Sequence, residues 1–294
     1  MSAPAPPLAP GLYLVATPIG NLGDITLRAL DVLRRADRIA CEDTRQTQKL
    51  LNHFEIATPT VSCHEHNERS RAAVLIAAIQ NGSAIALVSD AGMPGISDPG
   101  HHLVAAAIAA GIPVIPIPGA NAALSALVAS GLPAREFTFL GFLPEKAGAR
   151  RTYLEDLAAV PRETAQTLIF YEAPHRIVET LSDMEEVWGA PLQVAVAREL
   201  TKIHEEFLRG TVAEVRATLA ARGVIRGEIT LLVEASARAA ANRAQAGESL
   251  TARIGRMQSE MEIDEKEALK RLAREVGKSK SELYRELQRD RARR

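Results

Sequence analysis

The sequence predicts an α/β protein made of two α/β halves followed by a small helical, helix-turn-helix-like extension. Three observations carry this reading. Short β-branched apolar runs alternate with amphipathic helical stretches through most of the first 235 residues, the pattern of stacked βα units around a largely parallel sheet. The chain has 294 residues, which corresponds to about two domains at ~150 residues each. From Ala235 the composition shifts to Ala, Arg, Glu and Gln with few strand formers, which marks a separate helical segment.

Residues 1–10, MSAPAPPLAP, read as a disordered Pro/Ala leader without the basic region and apolar stretch of a secretory signal. The first strand is expected over Leu12–Ala16. Asp24 is the expected cap of a helix whose apolar face carries Leu27, Leu30 and Leu33. Strands follow at Arg38–Ala40 and Val61–Cys63, then a helix from Asn67 to Ile79 that Asn81 and Gly82 stop. Ala84–Ser89 is a continuous apolar run, as in a strand covered on both faces. A loop, a helix to about Ala110, the strand Val114–Ile117 and a helix over Ala122–Ala129 complete the first set.

The second set comprises strand Phe137–Leu140, helix Arg150–Ala159, strand Thr167–Tyr171, helix Ile177–Trp188, strand Leu192–Ala197 and strand Ile229–Glu234. The boundary between the halves falls within Asn121–Glu136, giving domains over 11–121 and 122–236 and a tail over 237–294. Crevices between such halves are common ligand sites. In the tail, Lys266–Val276 has helical periodicity, Gly277 can end it, and Ser279 or Ser281 can cap a second helix through Leu287. A solvated helical hairpin accounts for the same pattern.

Charge and composition remove several function classes. The formal net charge is −1, so no global positive field draws the chain onto a polyanion. Between Lys270 and Arg294, however, ten Lys/Arg face four Asp/Glu, and nucleic-acid contact would be local to that basic end. Aromatics at 4% argue against a sheet that binds RNA mainly by base stacking. Cys41 and Cys63 are too few for a disulfide framework, which implies a reducing, cytoplasmic setting. His101–Ala134 contains no Lys, Arg, Asp or Glu, but Gly111, Pro113, Pro116, Pro118, Gly119 and Gly131 cut it into pieces shorter than the ~20 residues of a membrane helix.

The densest loop is SDAGMPGISDPG, Ser89–Gly100, placed after the buried strand and before a helix. Its three glycines and two prolines fix a turned backbone with free N–H and C=O groups, and Asp90 and Asp98 add acceptors. Loops at the carboxyl ends of parallel strands are where open α/β sheets bind ligands. GISDP is not a nucleophile elbow, because Pro99 stands where the second Gly belongs. TPIGNLGD, Thr17–Asp24, lacks the three-glycine dinucleotide fingerprint, and Gly277-Lys278-Ser279 lacks the upstream half of a phosphate loop. Cys63, His64, Glu65 and His66 show no complete metal shell, and no metal is expected. HEHNE (His64–Glu68) reads instead as a polar strand end lining the same cleft. CEDTR (Cys41–Arg45) reads either in the same way or as a helix start capped by Asp43 or Thr44.

In order along the chain, TPIGNLGDIT, EDTR, HEHNE, SDAGMPGISDPG, PGANAAL, FLGFLP, FYEAPHRI, RELTK and RGEITLLVE resemble the 16S ribosomal RNA cytidine-2′-O-methyltransferases of the tetrapyrrole methylase-like superfamily. The likeness runs from Gly11 to Glu234, and the tail is similar to that family's helical end. The resemblance implies two α/β domains, S-adenosylmethionine held in the crevice between them, a homodimer and a 16S ribosomal RNA or small-subunit substrate. By motif position it implies donor contacts from Ser89, Asp90, Ala91, Gly92, Pro94, Ile96, Ser97 and Asp98, and from Pro118, Gly119, Asn121 and Ala122. Tyr171, Glu172, Arg198, Glu199, Leu200, Gly227 and Glu228 of the second half are implied as well. Two departures bear on the pocket's shape: Met93 stands where the family usually has Thr, and Asn121 where it often has a smaller polar residue.

Methyl transfer from a sulfonium to a ribose hydroxyl is an in-line displacement governed by orientation, assisted by a base within hydrogen-bond reach. Asp43, His66, Glu68 and Glu172 are candidate bases, with Asp43 or Glu68 expected in the acceptor cleft, and Arg45 is a candidate phosphate holder. The alternatives are a tetrapyrrole C-methyltransferase, for which EDTR, HEHNE and the tail are less suited, and a metabolite-sensing DNA-binding regulator, for which the loop after Ser89 is richer than needed.

Overall fold

The computed structural model describes residues 6–64, 67–160, 164–235, 250–261, 263–275, 280, 283–285 and 287–288. Strands β1 (Gly11–Val15), β2 (Arg38–Cys41), β3 (Thr60–Ser62), β4 (Ala84–Val88) and β5 (Val114–Ile117) form one sheet in the order β3-β2-β4-β1-β5. Every pairing in it is parallel. Helices cover both faces, so the period-2 alternation of a strand feeds two separate cores. Tyr13 and Val15 join Leu30 and Leu33 of α1 (Leu27–Arg35) and Leu51 of α2 (Thr44–His53). Leu12 and Leu14 join Leu75 and Ile79 of α3 (Glu68–Gln80) and Leu103 of α4 (His101–Ala109). Cys41 and Cys63 belong to opposite cores. Burial raises both thiols, Cys63 to about 11. The cap of α1 is Thr26, whose Oγ1 accepts from the N–H of Ala29 at 3.0 Å, rather than Asp24, which lies in a short 3-10 turn. Asp24 sits too early for its carboxylate to meet the first free amides of a helix that starts at Leu27.

The second sheet departs from expectation. Strands β6 (Phe137–Phe142), β7 (Gln166–Glu172), β8 (Gln193–Arg198), β9 (Glu206–Thr211) and β10 (Ile229–Ala235) are ordered β6-β7-β10-β8-β9. Only β6 and β7 run parallel, while β10 is antiparallel to β7 and β8, and β9 is antiparallel to β8. The consequence is geometric: β10 begins beside the end of its neighbours, with Ile229 opposite both Glu172 and Arg198.

One face of this sheet packs on α6 (Ala147–Ala159), α7 (Ile177–Trp188) and α8 (Val212–Ala220), through Leu154, Leu181, Met184 and Leu219 against Phe170, Val196 and Leu231. The other face receives α5 (Ala122–Ser130), whose Ala123, Ala126 and Leu127 meet Ile169, Ala195 and Leu232. Ile19, from the loop after β1, joins that same cluster. The two sheets are thus coupled through shared apolar packing.

In the tail, α9 (Leu250–Met261) and α10 (Glu265–Glu275) bury Ile254, Met257, Leu269 and Leu272 together with Leu283 and Leu287. The predicted turn at Gly277 and the caps at Ser279 and Ser281 lie outside the described residues. No helix among the described residues is long and apolar enough to cross a membrane.

A network of ion pairs centred on Asp183 joins α6 to α7 at the rim of the second core. Arg150, 1% exposed, gives its Nε–H to Asp183 Oδ2 at 2.6 Å, and Arg151 gives its own to Asp183 Oδ1 at 2.7 Å. Truncating one partner of a buried pair strands the other charge, at a cost of about 3–5 kcal/mol. Asp183→Ala is therefore expected to lower the thermal midpoint strongly, whereas the double replacement of Arg150 and Asp183 by apolar residues recovers much of the loss. Equal midpoints for Asp183→Ala and the wild type in thermal denaturation would refute this.

Candidate active site in the crevice between the sheets

The loops after β1, β4 and β5 and the matching edge of the second sheet converge on one cavity of about 310 Å³. Its floor is set by a pair of reciprocal backbone bonds: Thr17 N–H donates to Gly92 O at 2.9 Å and Gly92 N–H to Thr17 O at 3.1 Å. The buried Thr17 hydroxyl also donates to Ser89 O at 3.2 Å, and Ser89 Oγ donates to Ala91 O and Gly92 O, each at 3.3 Å. Gly92 adopts φ +80, and a Cβ there would meet Ile19 Cγ2 at 3.3 Å, so only glycine lets the loop turn against the first-half wall.

From the first half the cavity is lined by Ala91, Gly92, Met93, Ile96, Ser97 and Asp98, with Ile19 beside them. Asn121 and Ala122 contribute the start of α5, where Asn121 Oδ1 caps the helix by accepting from Leu124 N–H at 2.9 Å. From the second half come Tyr171 and Glu172 at the end of β7, Leu200 after β8, and Gly227 and Glu228 before β10. The Tyr171 ring packs edge-on against Phe139 and Phe142. Among the described residues no Lys or Arg lines the cavity, whereas Asp98, Glu172 and Glu228 do.

Behind the second-half wall sit two charge networks. Arg198 donates to Glu206 at 3.1 Å, to Arg226 O at 3.1 Å and to His204 O at 3.4 Å. Lys202 bridges Glu199 at 2.7 Å and Glu228 at 2.9 Å. Its stem lies against Gly20 of the first half, where a side chain would collide with it. Hydrogen bonding from Lys202 keeps Glu199 below the usual carboxylate range. Burial works against the Lys202 ammonium, but its bonds to Glu199 and Glu228 hold it above its ordinary value.

Residues 11–216 match the family model of the tetrapyrrole (corrin/porphyrin) methylases. The chain belongs to this family. The ribosomal RNA small subunit methyltransferase I of Halalkalibacterium halodurans is 50% identical over 275 residues, 93% of each chain. The protein of the same name in Mesorhizobium japonicum is 53% identical over 230 residues, 78% of this chain and 77% of that one. Among solved structures, a uroporphyrin-III C-methyltransferase from Thermus thermophilus superposes with a TM-score of 0.52 at 23% identity, covering 80% of this chain and 97% of its own. A uroporphyrin-III C-methyltransferase structure from the same organism, complexed with S-adenosyl homocysteine, gives 0.51 at 20% identity over 76% and 96%. These solved structures carry the fold alone.

Within the tetrapyrrole methylase fold, twelve of the predicted donor contacts border the cavity: Ala91, Gly92, Ile96, Ser97, Asp98, Asn121, Ala122, Tyr171, Glu172, Leu200, Gly227 and Glu228. Seven do not. Ser89 holds the loop from behind, Pro94 is buried within it, and Asp90 points to the Asp43 N–H at 3.3 Å. Pro118 and Gly119 lie outside the lining, and a Cβ on Gly119 would press on Ala16. Arg198 and Glu199 build the networks just described. The sequence alone does not single out Ile19, Phe142, Ala173, Pro174, Ala197, Ile229 and Thr230 as lining residues, although all of them except Ala197 lie in the motifs that carry the family resemblance.

The predicted bases separate clearly. Asp43 caps α2, accepting from Arg45 N–H at 2.8 Å, and that bond keeps its carboxyl below the ordinary range. Arg45 itself projects into solvent, 87% exposed. Glu68 is buried, and its Oε1 accepts from the N–H groups of Gly100 and Leu103 at 3.1 and 3.0 Å. It therefore caps α4. Glu172 accepts from Arg176 at 2.6 Å and from the Thr180 hydroxyl at 2.7 Å. His66, with Glu65, lies outside the described residues. Among the described residues no group of three potential metal ligands converges.

Arg222 and Arg198 hold Glu206 down to about 2. A carboxyl depressed by folding adds stability that is present above its unfolded value, near 4.3, and is lost as pH falls toward the folded one. Glu206→Gln is expected to cost about 1 kcal/mol at pH 7, allowing for solvent screening, and to converge on the wild type as acid protonates Glu206. Thermal midpoints across that range would test this, and a gap independent of pH would contradict it.

Proposed function

We propose that this chain transfers a methyl group from S-adenosylmethionine to the 2′-oxygen of a cytidine ribose in 16S ribosomal RNA. The observation that carries the reading is the cavity between the two sheets, apolar in much of its wall, acidic at three points and, among the described residues, without a lining cation. A site of that charge suits a sulfonium with an ammonium and does not suit a phosphate-bearing cofactor. The relatives at about half identity supply the substrate class, whereas the tetrapyrrole-acting neighbours share only the fold.

When bound, S-adenosylmethionine supplies an electrophilic methyl carbon on a positively charged sulfur. The residues suited to holding it are Ala91, Gly92 and Ile96 on the first-half side and Tyr171, Leu200 and Gly227 on the second. Asn121 fixes the α5 end of the wall through its cap, and Glu68 fixes the exit of the Ser89–Gly100 loop through α4. Arg45, exposed and beside Asp43, is suited to meet an RNA phosphate. Such a framework contributes chiefly orientation, the term that matters most for an in-line displacement.

The reading extends to a homodimer in the cytoplasm, with 16S ribosomal RNA or the small subunit as partner. Leu124 and Val128, one turn apart on the uncharged helix α5, are 49% and 81% exposed, and a second copy covering them would remove that apolar surface from water. The basic tail, whose apolar cluster is built from its own helices, is read as an RNA-holding element.

Calorimetry is expected to register uptake of S-adenosylmethionine, and mass mapping of small-subunit RNA after incubation with protein and donor a gain of one methyl on a cytidine ribose. Absence of donor uptake at high protein concentration refutes the reading. Deleting residues 237–294 should weaken RNA binding and flatten its salt dependence while leaving donor affinity within about twofold; an equal loss of both would overturn the division of labour.

A further inference from the structure

Three carboxylates border the cavity, and their partners differ. Glu172 is locked between Arg176 and Thr180, and Glu228 is held by Lys202. Asp98 shares the neighbourhood of the Ser89 hydroxyl with Ala91 O and Gly92 O, to which that hydroxyl donates, and the charges that act on it are those of Glu42, just after β2, and Asp90, after β4. Tyr171 faces it from β7. Among the described residues no Lys or Arg pairs with Asp98. Its backbone is held in place as well: Ser97 adopts φ +59 and Gly100 φ +133, so two left-handed turns bracket the side chain. Of the candidate bases outside the wall, the two among the described residues are committed elsewhere, Asp43 to Arg45 and Glu68 to the cap of α4.

We propose that Asp98 is the catalytic residue that takes the proton from the acceptor hydroxyl during methyl transfer. The inference rests on the methyl-transfer reading above. In the step, a lone pair of the hydroxyl oxygen forms the new O–C bond and the C–S bond breaks with its electrons passing to sulfur. The hydroxyl proton goes to a carboxylate oxygen of Asp98 and then to water. The charge arrangement explains why an unpaired acid belongs there. Before transfer, the Asp98 anion faces a cationic sulfonium; afterwards the sulfur is neutral and so is the protonated Asp98. Neither state leaves an uncompensated charge in the crevice, which a permanent Lys or Arg partner would do. Burial, with Glu42 and Asp90 adding to it against the Ser89 hydrogen bond, pushes Asp98 up to about 6. That value suits a base working near neutral pH.

The test compares wild type, Asp98→Asn and Asp98→Glu. For the wild type, the preference for S-adenosylmethionine over S-adenosylhomocysteine, measured by calorimetry, should fall about tenfold as pH drops through the Asp98 transition, since one pKa unit of coupling is a factor of ten. Asp98→Asn should bind S-adenosylhomocysteine within about threefold of wild type, show no such pH dependence, and methylate roughly 10²- to 10⁴-fold more slowly. Asp98→Glu should restore part of the rate together with the acidic limb. The proposal is overturned if Asp98→Asn methylates at the wild-type rate, if it loses S-adenosylhomocysteine in proportion to its rate, or if the ligand preference of the wild type is flat with pH. Wild-type protein that takes up neither ligand overturns the methyl-transfer reading itself, and this assignment with it.

Discussion

The reciprocal hydrogen bonds between Thr17 and Gly92 are the constraint on which the crevice depends. They tie the loop after β1 to the loop after β4, two neighbouring strands of a parallel sheet, and they use backbone groups that would otherwise need a partner. Beyond Thr17 the chain passes to Ile19, which packs with the cluster under the second sheet, and to Gly20, which lies beneath Lys202. A single two-residue bridge thus decides where the first half meets the second. The cavity wall is consequently built from backbone held at both ends, which lowers the ordering cost of ligand binding.

Carboxylates do four different jobs within a short distance, and their surroundings decide which. Asp183 is a structural counter-ion for Arg150, and Glu68 is a remote helix cap. Glu172 faces the cavity but spends its acceptor capacity on Arg176, Thr180 and the N–H of Ala173. Glu199 and Glu228 share Lys202, which keeps that ammonium behind the wall and out of the ligand's space. The result is a cavity with acids on its lining and its cations withdrawn to the second layer. Arg198 follows the same logic, since its guanidinium is consumed by Glu206 and two carbonyls.

Much of this was legible in the sequence, and the failures have physical causes. The first sheet reads well because each strand is buried on both faces, so β4 is a continuous apolar run from Ala84 to Val88. The second sheet was expected to be largely parallel, since helices separate most of its strands. Strand β9, with Glu206, Arg209 and Gly210 in six residues, carries too little apolar signal to be seen, and β10 enters the sheet between β7 and β8 in the opposite direction. The loop Ser89–Gly100 stands out in the sequence by its glycines and prolines, its two aspartates and its place between a buried strand and a helix. Glu68 was expected in the cleft because its neighbours in sequence are polar. Its true partners, Gly100 and Leu103, are over 30 residues away, and no local pattern reports such a contact.

Asn121 and Met93, where the sequence departs from the pattern that the resemblance implies, differ in what their side chains do. Asn121 lines the cavity, but its oxygen is already spent on the N–H of Leu124. A smaller capping residue would satisfy the same amide, so Asn changes the volume of the wall more than its chemistry. Met93 differs in kind from the Thr that the resemblance would put there. An unbranched thioether presents a deformable apolar surface and no hydroxyl, at a point where Ala91, Gly92 and Ile96 already make the first-half wall mainly apolar. Recognition on that side therefore depends on shape and on main-chain groups. Side-chain hydrogen bonding and charge fall instead to the Asp98 end of the loop and to the second half of the crevice.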